Sequence, residues 1–274
     1  MTAWLIGLAA SLVIAGLAYW KKSLSGSGAL AAVIVGTLFY AWGNVMWFGT
    51  LIAFFISSSL LSKWKQKAKK AAESGYEKTG RRDAGQVLAN GGIGLLLCAA
   101  NWFWPHRMWL PVFIGVMATV NADTWATEIG GASKRQPISI LTFKRVPAGT
   151  SGGVTWLGLL ASALGGAFIG GVASLLGEIG QIAPGGTGGV MWGTFVLFVF
   201  VGSLSGLIGS LTDSLLGATV QVMYRCPSCG RDVEARTHCG ASTEHVRGLR
   251  FCNNDLVNLI SSIVGGAVAL MLFL

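Results

Sequence analysis

Charge is scarce in this chain. Of its 274 residues only 11% are Asp, Glu, Lys or Arg, against 53% hydrophobic, and the mean hydropathy is +0.62. Those proportions exclude an ordinary soluble domain and describe a polytopic membrane protein, with apolar runs long enough to cross a bilayer. A Walker-type Gly-x-x-x-x-Gly-Lys-Ser/Thr motif is missing, which excludes a P-loop enzyme. No basic segment precedes the first apolar run, so that run reads as an anchor helix and not as a cleavable signal. Residues 177–189 hold no Lys or Arg at all.

Glycine, by contrast, is abundant at 40 residues, and the small-residue stretches it makes suit close helix contact in lipid. The net charge of +9 would suggest nucleic acid in a soluble protein. Here it reads as topology, and no nucleic-acid partner is expected. Apolar runs occupy about residues 3–20, 28–42, 45–62, 86–104, 108–130, 154–176, 190–212 and 256–273. With the Lys21-Lys22 loop placed in the cytoplasm, the loops at 63–85, 130–153 and 221–255 fall on the same side. Together these hold every Lys and Arg except Arg107. The expected fold is therefore all-α, a single integral membrane bundle over residues 1–274 with about eight transmembrane helices. The basic run after Lys63 is expected as a solvated helix near anionic headgroups. His106 reads as an interfacial loop residue between two antiparallel helices.

Two carboxylates break this apolar pattern in Asn121-Ala-Asp-Thr-Trp-Ala-Thr-Glu-Ile-Gly130. On a helix, Asp123 with Thr127 and Thr124 with Glu128 make overlapping i, i+4 pairs that give one polar edge. Ionisable groups near membrane depth line cavities or ion sites. Four more polar motifs fall at the same face: the stretch from Gly80-Arg-Arg to Asn90-Gly-Gly92, Pro147-Ala-Gly-Thr-Ser-Gly-Gly153, Gly209-Ser-Leu-Thr-Asp-Ser214 onward to Gln221, and Asn253-Asn-Asp-Leu-Val-Asn258. One cytoplasm-facing site is expected from them.

The residue types suit polyphosphate chemistry. Asp123, Glu128, Asp213 and Asp255 can hold Mg²⁺, which takes a few carboxylates together with phosphate oxygens and water. The Gly149-Thr150-Ser151-Gly152-Gly153 segment, at a helix entry, offers backbone N–H groups and hydroxyls to an anion. Arg81, Arg82, Lys144 and Arg145 can neutralise transferring phosphoryl groups. The five cysteines are Cys98 in a hydrophobic span and Cys226, Cys229, Cys239 and Cys252 in one polar loop, where clustering beside His238 points to metal before disulfide.

In sequence and order, the five motifs resemble the signature set of an integral membrane family long labelled a domain of unknown function. That family includes the chloroplast phytyl-phosphate kinase of vitamin E synthesis and the animal transmembrane protein nineteen. The resemblance covers nearly the whole chain. It implies a kinase that transfers a phosphoryl group from a nucleoside triphosphate, CTP favoured, to an isoprenoid monophosphate. It also implies that Arg82, Gln86, Asn90, Thr124, Gly149, Thr150, Ser151, Gly152, Ser214, His245, Asn254 and Asn258 bind the nucleotide or phosphate beside the four carboxylates. Ser151 departs from the Asn of many relatives, and either side chain can hydrogen-bond a phosphate. Residues 222–252 resemble a zinc-knuckle-like cytoplasmic insertion of bacterial members. Cys226, Cys229 and Cys239 are its expected Zn²⁺ ligands, with His238, His245 and Cys252 competing for the fourth place. The protein is accordingly expected in a bacterial cytoplasmic membrane. The competing class is a lipid or ion transporter, or flippase, that uses the same carboxylates.

Overall fold

The computed structural model describes residues 1–64, 75, 77, 78, 80–179 and 192–274. Among the described residues eight helices carry the chain: α1 (Thr2–Trp20), α2 (Gly26–Leu38), α3 (Val45–Lys63), α4 (Ala84–Phe103), α5 (Trp109–Gly130), α6 (Trp156–Ile179), α7 (Trp192–Thr219) and α8 (Asn254–Phe273). Each matches one of the apolar runs. All but α5 are long and apolar enough to cross a membrane, α2 when taken together with the turn that carries it on to Gly43. The exception carries Asn121, Asp123, Thr124, Thr127 and Glu128 in its second half.

Short polar side chains start several helices by taking up N–H groups that have no intrahelical partner. Ser25 accepts from Gly28 N at the head of α2, Asn44 from Met46 N before α3, and Asn253 from Leu256 N before α8. Asp83 and Gln86 form a reciprocal capping box on α4. α2 ends in a π-turn, Phe39–Gly43, that leads directly into the Asn44 cap.

The least lipid-like helix sits at the centre. α5 packs against α3, α4, α6, α7 and α8, and every residue from Phe113 to Ala122 is buried. Its neighbours come close because they present glycine. A Cβ on Gly115 would lie 2.5 Å from the Gly265 carbonyl of α8, and one on Gly170 of α6 would lie 1.9 Å from the Phe198 carbonyl of α7. In lipid, where apolar burial gives helices little reason to associate, such backbone-to-backbone contact is a main source of cohesion. The buried polar groups of α5 are partnered: Asn121 Nδ2 donates to Gly165 O at 2.7 Å, and its Oδ1 accepts from Ser57 Oγ at 2.9 Å. Asn121, the first residue of the acidic stretch, thus locks α5 to α3 and α6.

Two departures from expectation concern the polar segments. The seventh run was expected to close at about residue 212, but α7 continues to Thr219. Asp213 and Ser214 turn to the cavity described below while Leu215 stays exposed, so helical periodicity survives where apolar composition does not. The glycine segment 149–153 does not open α6. Its last residue belongs to the short strand β2 (Gly153–Val154), which pairs with β1 (Ile138–Ser139), and Thr155 Oγ1 caps α6 by accepting from Gly158 N. The segment is a turn instead, with Gly149 and Gly152 at φ of +84° and +80°. Beyond α7, the three-stranded sheet β4-β3-β7 (Asp232–Val233, Met223–Arg225, Glu244–Arg247) and the hairpin β5–β6 (Thr237–His238, Ala241–Ser242) form a small lobe. The basic run expected as a helix after Lys63 lies outside the described residues apart from Lys63 and Trp64, and most of 177–189 lies outside them too.

Candidate functional site

A cavity of about 540 Å³ opens at the end of the bundle where α3 finishes and α4 and α8 begin. The entry to α4 brings Arg82, just before the Asp83 cap, and Gln86 and Asn90, which are spaced i, i+4 on the helix and so share one face. From α5 come Asp123, Thr124, Thr127 and Glu128, the polar edge expected from sequence. The glycine turn contributes residues 149–153, α7 contributes Asp213, Ser214 and Gly217, and α8 contributes Asn254, Asp255 and Asn258. All four carboxylates singled out in the sequence thus share one wall system with Arg82 and the glycine turn, although Asp123 and Asp255 lie 132 residues apart (255 − 123).

The carboxylates are individually held. Ser261 Oγ donates to Asp213 Oδ2 at 3.0 Å, and Ser210 Oγ reaches Asp123 Oδ1 at 3.5 Å. Ser62 Oγ donates to Glu128 Oε1 at 2.5 Å. Lys78 Nζ bridges Asp255 Oδ2 at 2.5 Å and Asp83 Oδ2 at 3.1 Å. Arg82 donates to Ser59 Oγ at 3.3 Å and stands over the rings of Phe54 and Phe55, 5.8 Å from each centroid. Burial pulls its pKa down from the usual guanidinium range and the nearby Glu128 opposes that shift, leaving a charged group at pH 7.

Several expected residues take different positions. Arg81, Lys144 and Arg145 are exposed and do not line the cavity; Lys22, Lys63 and Lys78 stand on its wall together with Arg82. Basic residues at the tips of loops remain solvated, whereas those next to helix ends can turn inward. His245 also lies off the cavity wall, with Nε2 3.0 Å from Gly248 O and its ring edge-on to Tyr224. Its strand β7 pairs with β3, and this register carries the ring onto the lobe. Gln86 serves two purposes, since its Oε1 accepts from Asp83 N in the capping box while the residue lines the cavity. Within the glycine turn, Thr150 gives both its N–H and its hydroxyl to Pro147 O, and Gly153 N donates to Thr150 O. Fewer donors therefore remain there for an anion than the motif suggested.

Other wall residues had not been singled out. Ser59 and Ser62 look in sequence like ordinary small residues at a helix end, and Lys22 and Lys78 like loop charge. Glu234 is the least legible, because it belongs to the small lobe. It reaches the cavity wall near Gln221, and burial pushes its carboxyl up to about 7 against Gln221, the Glu77 N–H and Arg247. Among the described residues Asn258 Oδ1, buried on this wall, has no hydrogen-bond partner. Orphaned buried polar atoms are uncommon and fit a site shaped for a polar guest. The donor set suits Mg²⁺ with a polyphosphate, hard oxygens for the ion and cations for the phosphates.

In the lobe, Cys226, Cys229, His238 and Cys239 bring their ligand atoms within 4.8 Å of one another. His238 Nδ1 lies 3.5 Å from Cys229 Sγ and 3.3 Å from Cys239 Sγ. Gly230 and Gly240, both at positive φ, follow Cys229 and Cys239 and turn the chain back behind each thiol. Three thiols and an imidazole fit tetrahedral Zn²⁺. Cys252, which is buried, and His245, which is exposed, lie outside this group. Backbone and side-chain hydrogen bonds from Arg231 bring the Cys229 thiol down to about 6, toward the thiolate that a metal requires. The lobe is joined to the cavity by Glu234 and by Arg247, whose Nη1 donates to Gly217 O at 3.1 Å and Ala218 O at 2.8 Å, closing the end of α7.

Comparison with known proteins agrees with this architecture. A family model described as "Integral membrane protein DUF92" matches residues 9–266. The chain is 32% identical to "Protein PGR" of Arabidopsis thaliana, over 92% of this chain and 89% of that one. It is 30% identical to an uncharacterized membrane protein of Methanocaldococcus jannaschii, covering 92% and 88%. It is 27% identical to "Protein VTE6, chloroplastic" of A. thaliana, over 91% of this chain and 65% of that protein. No solved structure matches.

Proposed function

Because the chain belongs to the integral membrane family DUF92, we propose that it is a membrane kinase for isoprenoid monophosphates. In this reading it transfers the terminal phosphoryl group of a nucleoside triphosphate, CTP favoured, to the lipid phosphate and yields the isoprenyl diphosphate. The observation that carries it is the convergence of Arg82, Asp123, Glu128, Asp213 and Asp255 on one cavity at one end of the bundle. By the Lys/Arg asymmetry that end faces the cytoplasm, where nucleotides are.

The acceptor is a phosphate oxygen that is already ionised, so attack needs little help from a base. Positioning and charge neutralisation dominate such a reaction. Mg²⁺, when bound, would supply positive charge that stabilises the charge developing on the phosphate oxygens. Asp123 and Asp213 are assigned to hold it, with Glu128 and Asp255 beside them. Ser210 and Ser261 orient those carboxylates by the hydrogen bonds given above. Arg82 and Lys78 neutralise the phosphates, and the turn at 149–153 together with Gln221 and Asn258 supplies uncharged polar contacts. Zn²⁺ in the small lobe would be structural, folding the lobe so that Glu234 and Arg247 reach the cavity wall.

A transporter built on the same carboxylates needs a polar path to the opposite face. Beyond Asn121 the core of the bundle is filled by Phe39, Phe113, Ile114 and Met117, all fully buried, which supports the enzyme over the transporter. The test is to incubate the purified protein with labelled CTP, ATP, GTP and UTP and a panel of isoprenyl phosphates. Formation of a labelled isoprenyl diphosphate supports the reading; no transfer from any nucleotide, with a lipid or ion crossing reconstituted vesicles, replaces it with the transporter.

A further inference from the structure

The large cavity is lined by polar side chains and glycines, yet the substrate proposed for it ends in hydrocarbon, which has to leave the cavity somewhere. Two smaller cavities adjoin it. One, of about 110 Å³, lies under residues 148–155, and Ser133, Arg135, Thr155 and Ser162 interrupt a wall that also holds Val154, Leu159 and Leu211. The second, of about 60 Å³, is a crevice among α1, α2, α3 and α4 whose walls include Ile14, Val35, Leu51 and Phe55.

This crevice and the large cavity share Arg82, Gln86 and Asn90. Gln86 and Asn90 lie one turn apart on α4, and Arg82 stands just before its Asp83 cap, so this short row of side chains divides phosphate-like surroundings from oil-like ones. Arg82 shows the division within a single contact: its guanidinium belongs to the polar wall, and the Phe54 and Phe55 rings beneath it belong to the crevice. A phosphate ester has the same layout, an anion joined to carbon. Lys22 and Lys63 add positive charge on the cavity side, and Lys63 Nζ donates to Lys21 O at 2.8 Å, tying the ends of α3 and α1 together above the crevice. Below that tie α1 is held mainly by α2 and the π-turn, and Ile14, Leu51, Ile52 and Phe55 are only partly buried. The crevice therefore opens sideways, between α1 and α3, toward lipid.

We propose that this crevice is the exit by which the prenyl tail of the lipid phosphate passes from the polar cavity into the bilayer, with the phosphate at Arg82 and the first branched carbons against Phe54, Phe55 and Gly91. The identity of the head group rests on the kinase reading above; the path of the tail does not. Size sharpens the inference. A cavity of roughly 150 Å³ holds a benzene ring, so 60 Å³ grips only the carbons nearest the phosphate and leaves the remaining tail among the lipids. Selection should then act on branching near the phosphate and disregard overall tail length.

Gly91 provides the probe, because a Cβ there would meet only Val35 and Leu51 at ordinary contact distances, 3.6 and 3.8 Å, so a larger side chain fills the crevice without striking backbone. Gly92, with nothing within 4 Å of its Cβ position, is the control on the same helix. The experiment uses the full chain in phosphatidylcholine nanodiscs and farnesyl phosphate bearing a diazirine on its first isoprene unit. After irradiation, adducts are expected in peptides of α1 around Ser11 to Ala15 and of α3 around Leu51 to Phe55, displaced by unlabelled farnesyl phosphate. Gly91→Leu should lower labelling and raise the KM for farnesyl and longer prenyl phosphates by about 10-fold or more without moving the nucleotide KM, as expected for overfilling a packed site. Gly92→Leu should do neither. Adducts confined to α6 and α7, or a Gly91→Leu protein that labels like the wild type, would overturn the proposal; the adduct map requires no variant and stands even if Gly91→Leu misfolds. Adducts on α1 and α3 in a protein that transfers no phosphoryl group would keep the tail path and remove the kinase reading, whereas transfer with adducts elsewhere would do the reverse.

Discussion

Lys78 and Asp255, 177 residues apart in sequence, meet at 2.5 Å across the cavity mouth. The contact ties the approach to α4 to the first turn of α8. It also gives Asp255 a cationic partner that a metal ion would have to displace, and Lys78 is its means of reaching a phosphate. A pair this exposed adds at most about 1 kcal/mol to stability. Lys78→Met should consequently melt within a few degrees of the wild type but lose turnover by about 10- to 100-fold, since it removes a phosphate-facing charge. Melting curves and initial rates measured side by side check both halves. Unaltered turnover would show that Lys78 only joins two helices.

Cys226→Ser should abolish retention of one equivalent of zinc per chain, because the thiolate set is what makes the metal tight. Metal analysis of purified protein reads this directly, and the same loss is expected for His238→Ala but not for His245→Ala or Cys252→Ser. Undiminished zinc in Cys226→Ser protein would show that the four clustered residues are not the metal site.

Glu234 gives a pH dependence whose sign is set by burial. Its carboxyl titrates at about 7 in the folded protein against 4.5 for an unperturbed glutamate. The folded state therefore holds this proton more tightly than the unfolded one. The associated stability is complete below about pH 4.5 and is lost as pH rises through 7. For zinc-loaded protein without Mg²⁺ or nucleotide, the melting temperature of the wild type should fall relative to that of Glu234→Gln between pH 5 and pH 8. Parallel profiles for the two proteins would place the Glu234 carboxyl in solvent.

Most of the bundle was legible because hydropathy reports membrane spans directly, and the motif at residues 121–130 revealed its polar edge through helical spacing alone. Legibility failed where a residue's environment depends on distant chain. Nothing near Glu234 or Lys78 announces a cavity: one sits in a lobe that looks independent, the other in a run of loop charge. His245 is the opposite case, carried over from a resemblance to relatives and then drawn away by the β3–β7 register. The end of α7 was misread for a simpler reason. An apolar run stops when polar residues begin, but a helix can continue with its polar side turned inward, as Asp213 and Ser214 show.

The central claim, that these carboxylates support phosphoryl transfer, is tested most directly by following labelled nucleotide into isoprenyl diphosphate with the wild type, Asp123→Asn and Asp213→Asn in parallel. Neither substitution changes side-chain size much, so both variants should fold and insert. The wild type should form diphosphate in the presence of Mg²⁺, and each variant should be slower by about 100-fold or more, the cost of losing a group that holds transition-state charge. Wild-type rates in both variants, or no diphosphate from any nucleotide with the wild type, would contradict it.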